Sequence, residues 1–134
     1  MAKYKVTSIL SSSIDPAIAA GTTVTVGKGN LFAREAGQVV TFRVRASARA
    51  GGGTVTAKLW HGVSQRSGTM VDAKDMFDTG LSVVIAAADT DYFITHVMDA
   101  TDTTPLVLLP YIELRVTTVT GTVTIEEATI IGSY

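Results

Sequence analysis

The chain has 134 residues, a formal net charge of −1 and no cysteine, and 46 % of its residues are hydrophobic. This length fits a single domain, which we expect to span residues 1–134, and the apolar content excludes intrinsic disorder. Without cysteine there is no disulfide, no Cys-ligated zinc and no thiol catalysis. The near-zero charge argues against a nucleic-acid or polybasic membrane-surface protein, and no apolar run reaches the roughly 18 to 20 residues of a membrane helix.

The composition predicts strands rather than helices. Thr, Val and Ile make up more than a third of the chain, and their β-branched side chains suit a pleated, half-buried surface. Glycine-rich stretches separate segments of about eight to thirteen residues, a spacing typical of a β-sandwich or β-barrel. Gly27-Lys28-Gly29 is expected to be one of these turns, and residues 12–20 and 70–77 are each expected to contain one short helical turn.

The clearest strand covers residues 38–48, where apolar and polar side chains alternate. A period of two with one apolar face predicts a strand that covers a core on one side only. Its inward residues are Val40, Phe42, Val44 and Ala46. After the glycines at 51–53 the alternation resumes, with Val55, Ala57 and Leu59 inward and Thr56, Lys58 and Trp60 outward. A glycine-rich link between two such strands predicts a hairpin.

Further strands are predicted at residues 81–87, 92–97, 106–119 and 122–131. In the third, Ile112, Leu114 and Val116 oppose Tyr111, Glu113, Arg115 and Thr117. A tight turn at Thr120 and Gly121 is predicted to join the last two strands. No repeat or linker divides the chain, so the sequence predicts an all-β protein with a single antiparallel β-sandwich.

Two features of the outward faces suggest contacts with a partner. Arg43, Arg45 and, if the register holds, Arg49 would form a basic stripe for a protein partner or a polyanion. The alternative is a solvated face with cross-strand pairs, for instance to Glu113. Trp60 is either an interface anchor or is covered by the loop at residues 62–68.

The two ends of the chain are a third candidate contact. Residues 1–10, with Lys3 and Tyr4, form either an N-terminal strand or an arm held by a neighbouring subunit. The last residues, ending at Tyr134, are apolar for an exposed end. Both ends suit a subunit of a larger assembly, and the alternative is a well-packed monomer.

The sequence contains little evidence for a catalytic site or a metal site. His61 shares the face of Leu59, so a core or rim histidine is expected. Asp89, Asp91, Asp99 and Asp102 bracket the strand at 92–97 and are expected to shape turns. Glu126 and Glu127 are adjacent in a strand, should point to opposite faces and so could not act as an acid/base pair. No catalytic residue, metal or cofactor is predicted.

Three segments carry a resemblance to a known family: residues 38–47 (QVVTFRVRAS), 54–62 (TVTAKLWHG) and 110–125 (PYIELRVTTVTGTVTI). With a glycine-rich tip between the first two, the pattern resembles small β-sandwich structural proteins of tailed bacteriophages, of the head decoration or cement type. The resemblance covers about residues 22–131 and has no diagnostic residues.

The resemblance implies a jelly-roll-like sandwich that binds the outside of a capsid shell and stabilises neighbouring capsomers. Its partners would be the major capsid protein and copies of itself, in a homo-oligomer such as a trimer. The protein would be assembled in the host bacterial cytoplasm and reside on the capsid exterior. The alternatives are a tail or neck subunit of a phage and a carbohydrate-binding module that uses Trp60.

Overall fold

The computed structural model describes residues 4–10, 18–31, 38–51, 53–62, 76–97 and 111–133. No helix occurs among these residues. They form strands β1 (Tyr4–Ser8), β2 (Thr23–Asn30), β3 (Val39–Ala50), β4 (Val55–Gly62), β5 (Met76–Val84), β6 (Asp91–Val97), β7 (Tyr111–Thr118) and β8 (Thr122–Ser133).

The strands form two antiparallel four-stranded sheets. The first sheet has the order β1-β8-β3-β6 and the second the order β2-β7-β4-β5. The pairs β1–β8, β2–β7, β3–β6 and β4–β5 are nested, as if one long hairpin had been rolled up into two layers. This is the arrangement of an eight-stranded jelly roll. The predicted all-β, jelly-roll-like sandwich is therefore confirmed.

The core lies between the two sheets and follows the predicted alternation. Phe42, Leu59 and Leu114 are each 0–1 % exposed, and burial of one such side chain contributes about 1.5–3 kcal/mol. The inward residues predicted for β3, β4 and β7 are all buried: Val40, Phe42, Val44, Ala46, Val55, Ala57, Leu59, Ile112, Leu114 and Val116.

Two connections cross between the sheets where hairpins were predicted. β3 lies in the first sheet and β4 in the second, and β7 and β8 are divided in the same way. The hairpin predicted between β3 and β4 is therefore wrong, and the short link at Thr120 and Gly121 joins strands of different sheets. Alternation reveals which face of a strand is buried. It does not show whether the next strand pairs with this strand in the same sheet or lies in the other sheet, across the core.

The two crossovers pack against each other through glycine. Gly51 has a φ of 83°, and a Cβ placed on it would lie only 3.0 Å from the Cα of Gly121. Arg49 stabilises the crossover at Gly51. Its guanidinium donates hydrogen bonds to the carbonyls of Ala50 at 2.9 Å, of Gly51 at 3.1 Å and of Gly53. Arg49 is thus part of a crossover and does not extend the stripe of Arg43 and Arg45.

Gly27-Lys28-Gly29 lies inside β2, so the predicted turn is wrong. Both glycines make room for Ile9, which is 5 % exposed. A Cβ on Gly27 would lie 3.0 Å from the Cδ1 and 3.1 Å from the backbone oxygen of Ile9, and a Cβ on Gly29 would lie 3.0 Å from its Cγ2. The Lys28 amide donates to the same Ile9 oxygen at 2.9 Å. Close packing, rather than chain reversal, explains these glycines.

Strand boundaries differ from the predictions at several points. β5 covers Met76–Val84, so it begins before the predicted residue 81, and the helical turn expected at 70–77 is wrong for Met76 and Phe77. Residues 70–75 and 12–17 lie outside the described residues. Ile18 forms an isolated bridge with Val123. β7 begins at Tyr111, and residues 106–110 are also outside the described part.

The N-terminal segment contributes a strand to this chain's own first sheet. β1 pairs with β8 from Tyr4 opposite Ser133 to Ser8 opposite Thr129. Of the two possibilities, a strand or an arm, the structure shows a strand for residues 4–8. Residues 1–3 lie outside the described residues.

Gly27→Ala is expected to lower the free energy of unfolding by about 1–3 kcal/mol, because the new methyl group meets the fixed backbone oxygen of Ile9. Gly29→Ala meets only the side chain of Ile9, and the lower conformational entropy of alanine in the unfolded chain offsets part of that contact. Chemical denaturation of both variants measures the difference. Equal stability of the two variants would contradict this packing.

Candidate functional site

The outer face of the first sheet carries a network of ion pairs centred on Arg43 and Arg45 of β3. Arg43 binds Glu127 of β8 at 2.8 Å, and Arg45 binds Glu126 at 2.6 Å. Asp91 of β6 lies 4.0 Å from Arg43 and 3.6 Å from Arg45. The network therefore links three neighbouring strands. A sixth member, Asp89, lies 3.9 Å from Arg45.

Glu126 and Glu127 share one face, so the prediction of opposite faces is wrong. Arg45 pairs with Glu127 and the next residue, Ala46, pairs with Ile125, which leaves Glu126 as an extra residue in β8. This β-bulge interrupts the alternation, because two residues of one strand then oppose a single residue of the other. Both glutamates consequently reach the arginines, and both are exposed.

The stripe of Arg43 and Arg45 carries no net positive charge. Two arginines face four carboxylates, Asp89, Asp91, Glu126 and Glu127, so the network has a formal charge of 2 − 4 = −2. The hydrogen bond that Arg45 donates to Glu126 is the main cause that raises the pKa of Arg45, and Asp91 adds to it. The solvated alternative with cross-strand pairs matches this arrangement, although Glu113 is not the partner, because it lies in the second sheet.

The aspartates have different placements. Asp89 adopts a φ of 57° in the turn before β6, as expected of a turn-forming residue. Asp91 is the first residue of β6 and belongs to the strand. Asp99 and Asp102 lie outside the described residues.

The opposite end of the same outer face carries exposed apolar side chains around the hydrogen-bonded pair Thr41 and Thr95. We call this end the apolar half and include in it Phe93, which lies opposite Arg43 at the border with the ion-pair network. Val6 of β1 is 64 % exposed, Phe93 of β6 is 51 % exposed and Val97 of β6 is 50 % exposed. Val39 lies directly opposite Val97, and Val6 lies opposite Ile131. These five side chains extend across all four strands of the sheet. Clustered apolar exposure of this kind is typical of a contact surface.

A second polar cluster lies on the outer face of the second sheet. The Glu113 carboxylate, in a residue only 4 % exposed, accepts hydrogen bonds from Thr25 at 3.2 Å, Tyr111 at 3.2 Å and Arg115 at 3.1 Å. Burial, followed by the neighbouring Glu113 charge, raises the pKa of the Tyr111 hydroxyl. The Arg115 guanidinium lies 4.3 Å from the ring centre of Trp60. The side chains of this cluster therefore contact one another within the second sheet.

Trp60 is on the outward face as predicted and is half-buried. Arg115 covers one face of its ring in a cation–π contact. The loop expected to cover it, at residues 63–68, lies outside the described part of the chain. His61 is 8 % exposed on the inner face, packs edge-on against Phe77 at 6.3 Å, and burial lowers its pKa. It is the core histidine that the sequence predicts.

The remaining interface candidates are only partly described. Tyr4 is the first residue of β1 and pairs with Ser133. Lys3 and Tyr134 lie outside the described residues. Trp60 and the pair Arg43 and Arg45 occupy different sheets, so the structure does not bring the predicted interface residues together.

Within the described ranges, no group of three or more His, Asp or Glu side chains is placed to hold a metal ion. No helix in the same ranges is long and apolar enough to cross a membrane. No protein-family model matches the chain, and no curated protein has a significantly similar sequence. The family resemblance therefore enters the function only as a proposal.

Arg45→Gln is expected to destabilise the protein more than Glu126→Gln. Loss of the arginine leaves Glu126 unpaired and leaves Asp91 with only its 4.0 Å contact to Arg43, whereas loss of Glu126 leaves Arg45 paired with Asp91 at 3.6 Å. Denaturation at low and high salt measures both effects, and the difference should shrink with salt because exposed ion pairs are screened. A larger effect of Glu126→Gln, or no response to salt, would contradict the network.

Proposed function

We propose that the chain is a structural assembly protein whose outer face on the first sheet contacts a partner. The observation that carries the proposal is the apolar half, which exposes Val6, Phe93 and Val97 on the outer face of the first sheet. Exposed apolar surface of this kind gains free energy when it is buried, at about 25 cal/mol for each Å² removed from water. A surface of this composition is better suited to binding a partner than to catalysing a reaction.

The proposal is most specific as a capsid decoration or cement protein of a tailed phage. The jelly roll is one of the architectures used by viral capsid proteins, and the sequence pattern resembles that of phage decoration proteins. The partners would be the major capsid protein and further copies of this chain, on the exterior of a virion assembled in the bacterial cytoplasm. Many copies on one lattice would act multivalently, so a modest contact per copy gives durable attachment.

The ion-pair network would restrict the orientation in which a partner docks on the apolar half. Its formal charge of −2, from two arginines and four carboxylates, lies beside the apolar half on the same face. Buried apolar contact supplies affinity, while neighbouring charge restricts which way a partner can dock. A tail or neck subunit would use the same surface in a ring.

The carbohydrate-binding alternative has weaker support. A sugar-binding aromatic needs an open ring face, and Arg115 already covers one face of Trp60 at 4.3 Å. The exposed aromatic Phe93 lies on the opposite sheet. Tyr111 shares the outer face of Trp60 but is only 1 % exposed, so the described residues offer no row of exposed aromatic side chains around Trp60.

The test uses shells assembled from the major capsid protein that the proposal makes the partner of this chain. The wild-type chain is expected to sediment with these shells, and Val6→Lys is expected to weaken that binding by at least tenfold, because a lysine in the apolar half must be desolvated. Val119→Lys is the matched control: Val119 is 63 % exposed and Val6 is 64 % exposed, but Val119 follows β7 of the second sheet.

Failure of the wild-type chain to sediment with shells would overturn the capsid proposal. Equal binding by Val6→Lys and by the wild type would overturn the assignment of this face. Circular dichroism of both variants confirms that each is folded before binding is compared.

A further inference from the structure

Each sheet of the described structure has two edge strands, β1 and β6 in the first sheet and β2 and β5 in the second. The outer edge of a strand presents backbone groups that can pair with another strand. Natural proteins limit this with short edges, lysine, proline, glycine or β-bulges. The four edges of this protein differ in how well they are protected.

Three of the edges carry such protection. β1 has only five residues and includes Lys5. β2 contains a bulge next to Gly27, and the chain at Leu10 already bridges to Gly27. β5 is interrupted by a register shift against β4 and contains Gly80 with a φ of 79°.

β6 has none of these features. Its sequence, DYFITHV, contains no glycine, proline, lysine or arginine. Its register with β3 runs without a shift from Asp91 opposite Arg45 to Val97 opposite Val39. Aromatic and β-branched residues dominate it, and Phe93 and Val97 are 51 % and 50 % exposed. Among the edges that the structure describes, β6 is the one best suited to accept another strand.

We propose that β6 pairs antiparallel with β6 of a second copy of this chain, which joins two first sheets into one eight-stranded sheet. A two-fold axis through Ile94 makes the contact self-complementary, since each residue then meets its counterpart reciprocally. Phe93 of one copy would lie opposite Thr95 of the other, an aromatic–β-branched pair that stabilises neighbouring strands.

Charge supports a second copy as the occupant. Asp91 is the only charged residue of β6 and is already paired with Arg43 and Arg45 of its own chain. In the centred register Asp91 would lie opposite Val97, so no like charges meet across the axis. The two ion-pair networks would lie at diagonally opposite corners of the joined sheet, and the Phe93 side chains of the two copies would lie diagonally across the axis near its centre.

Single cysteines test the register, because the natural chain has none. An oxidised mixture of Phe93→Cys and Thr95→Cys chains is expected to form a disulfide-linked heterodimer, since directly opposed residues have Cβ atoms about 4.5–5.5 Å apart. Neither variant alone should cross-link efficiently, because each would face its own copy only diagonally. Sedimentation of the wild type should give twice the 14.1 kDa mass of the chain.

The double variant Phe93→Lys/Thr95→Lys is expected to be a folded monomer, because it opposes like charges on both sides of the axis. Thr7→Lys, on the other edge strand of the first sheet, is the control and should remain dimeric. A wild-type monomer at high concentration, a trimer, or equal cross-linking by each cysteine variant alone would overturn the pairing.

This pairing does not rest on shell binding, so the two proposals fail separately. A monomer that still sediments with shells would remove the β6 contact and leave the capsid proposal intact. A cross-linked dimer that does not sediment with shells would support the β6 contact and overturn the capsid proposal.

Discussion

The surface of this protein depends on one irregularity in backbone pairing, the β-bulge at Glu126 of β8. Without it, strand alternation would turn Glu126 inward while Glu127 stayed with the arginines. The extra residue instead places both carboxylates beside Arg43 and Arg45. The bulge thus adds a second glutamate to the charged end of this face, where Arg43, Arg45, Asp91 and Glu127 are paired, while apolar side chains lie at the other end. The bulge strengthens this division of the face.

That division connects the fold to assembly. The jelly roll buries one face of each strand in a shared core and leaves the outer faces for other contacts. On the second sheet, Glu113, Tyr111 and Arg115 satisfy one another and cover part of Trp60. On the first sheet, Val6, Phe93 and Val97 remain exposed. Two proposed contacts use this exposed side, a capsid shell on the face and a second copy at the β6 edge.

Period-two patterning was sufficient to predict β3, β4 and β7 and their inward residues, such as Phe42 and Leu59, because burial repeats with the pleat. It missed β2, because the glycines of that strand indicate a turn. It could not predict the crossovers at Gly51 and Gly121, since the same face is buried whichever sheet the next strand joins. Nor could it predict the bulge at Glu126, which local sequence does not mark. The exposure of Phe93 and Val97 could not be predicted either, because both faces of β6 mix apolar and polar residues, and the apolar half emerges only when strand order places Val6 and Val39 on the same face.

Hydroxyl-radical labelling of side chains, with and without shells of the major capsid protein, would measure directly whether the apolar half is a contact surface. Phe93 and Phe77 are 51 % and 53 % exposed, and Val6 and Val119 are 64 % and 63 % exposed, so each pair starts from equal accessibility on different parts of the molecule. Labelling of Phe93 and Val6 should fall on binding while that of Phe77 and Val119 is unchanged. Protection of Phe77 and Val119 instead, or of none of the four, would contradict an assembly role for this face.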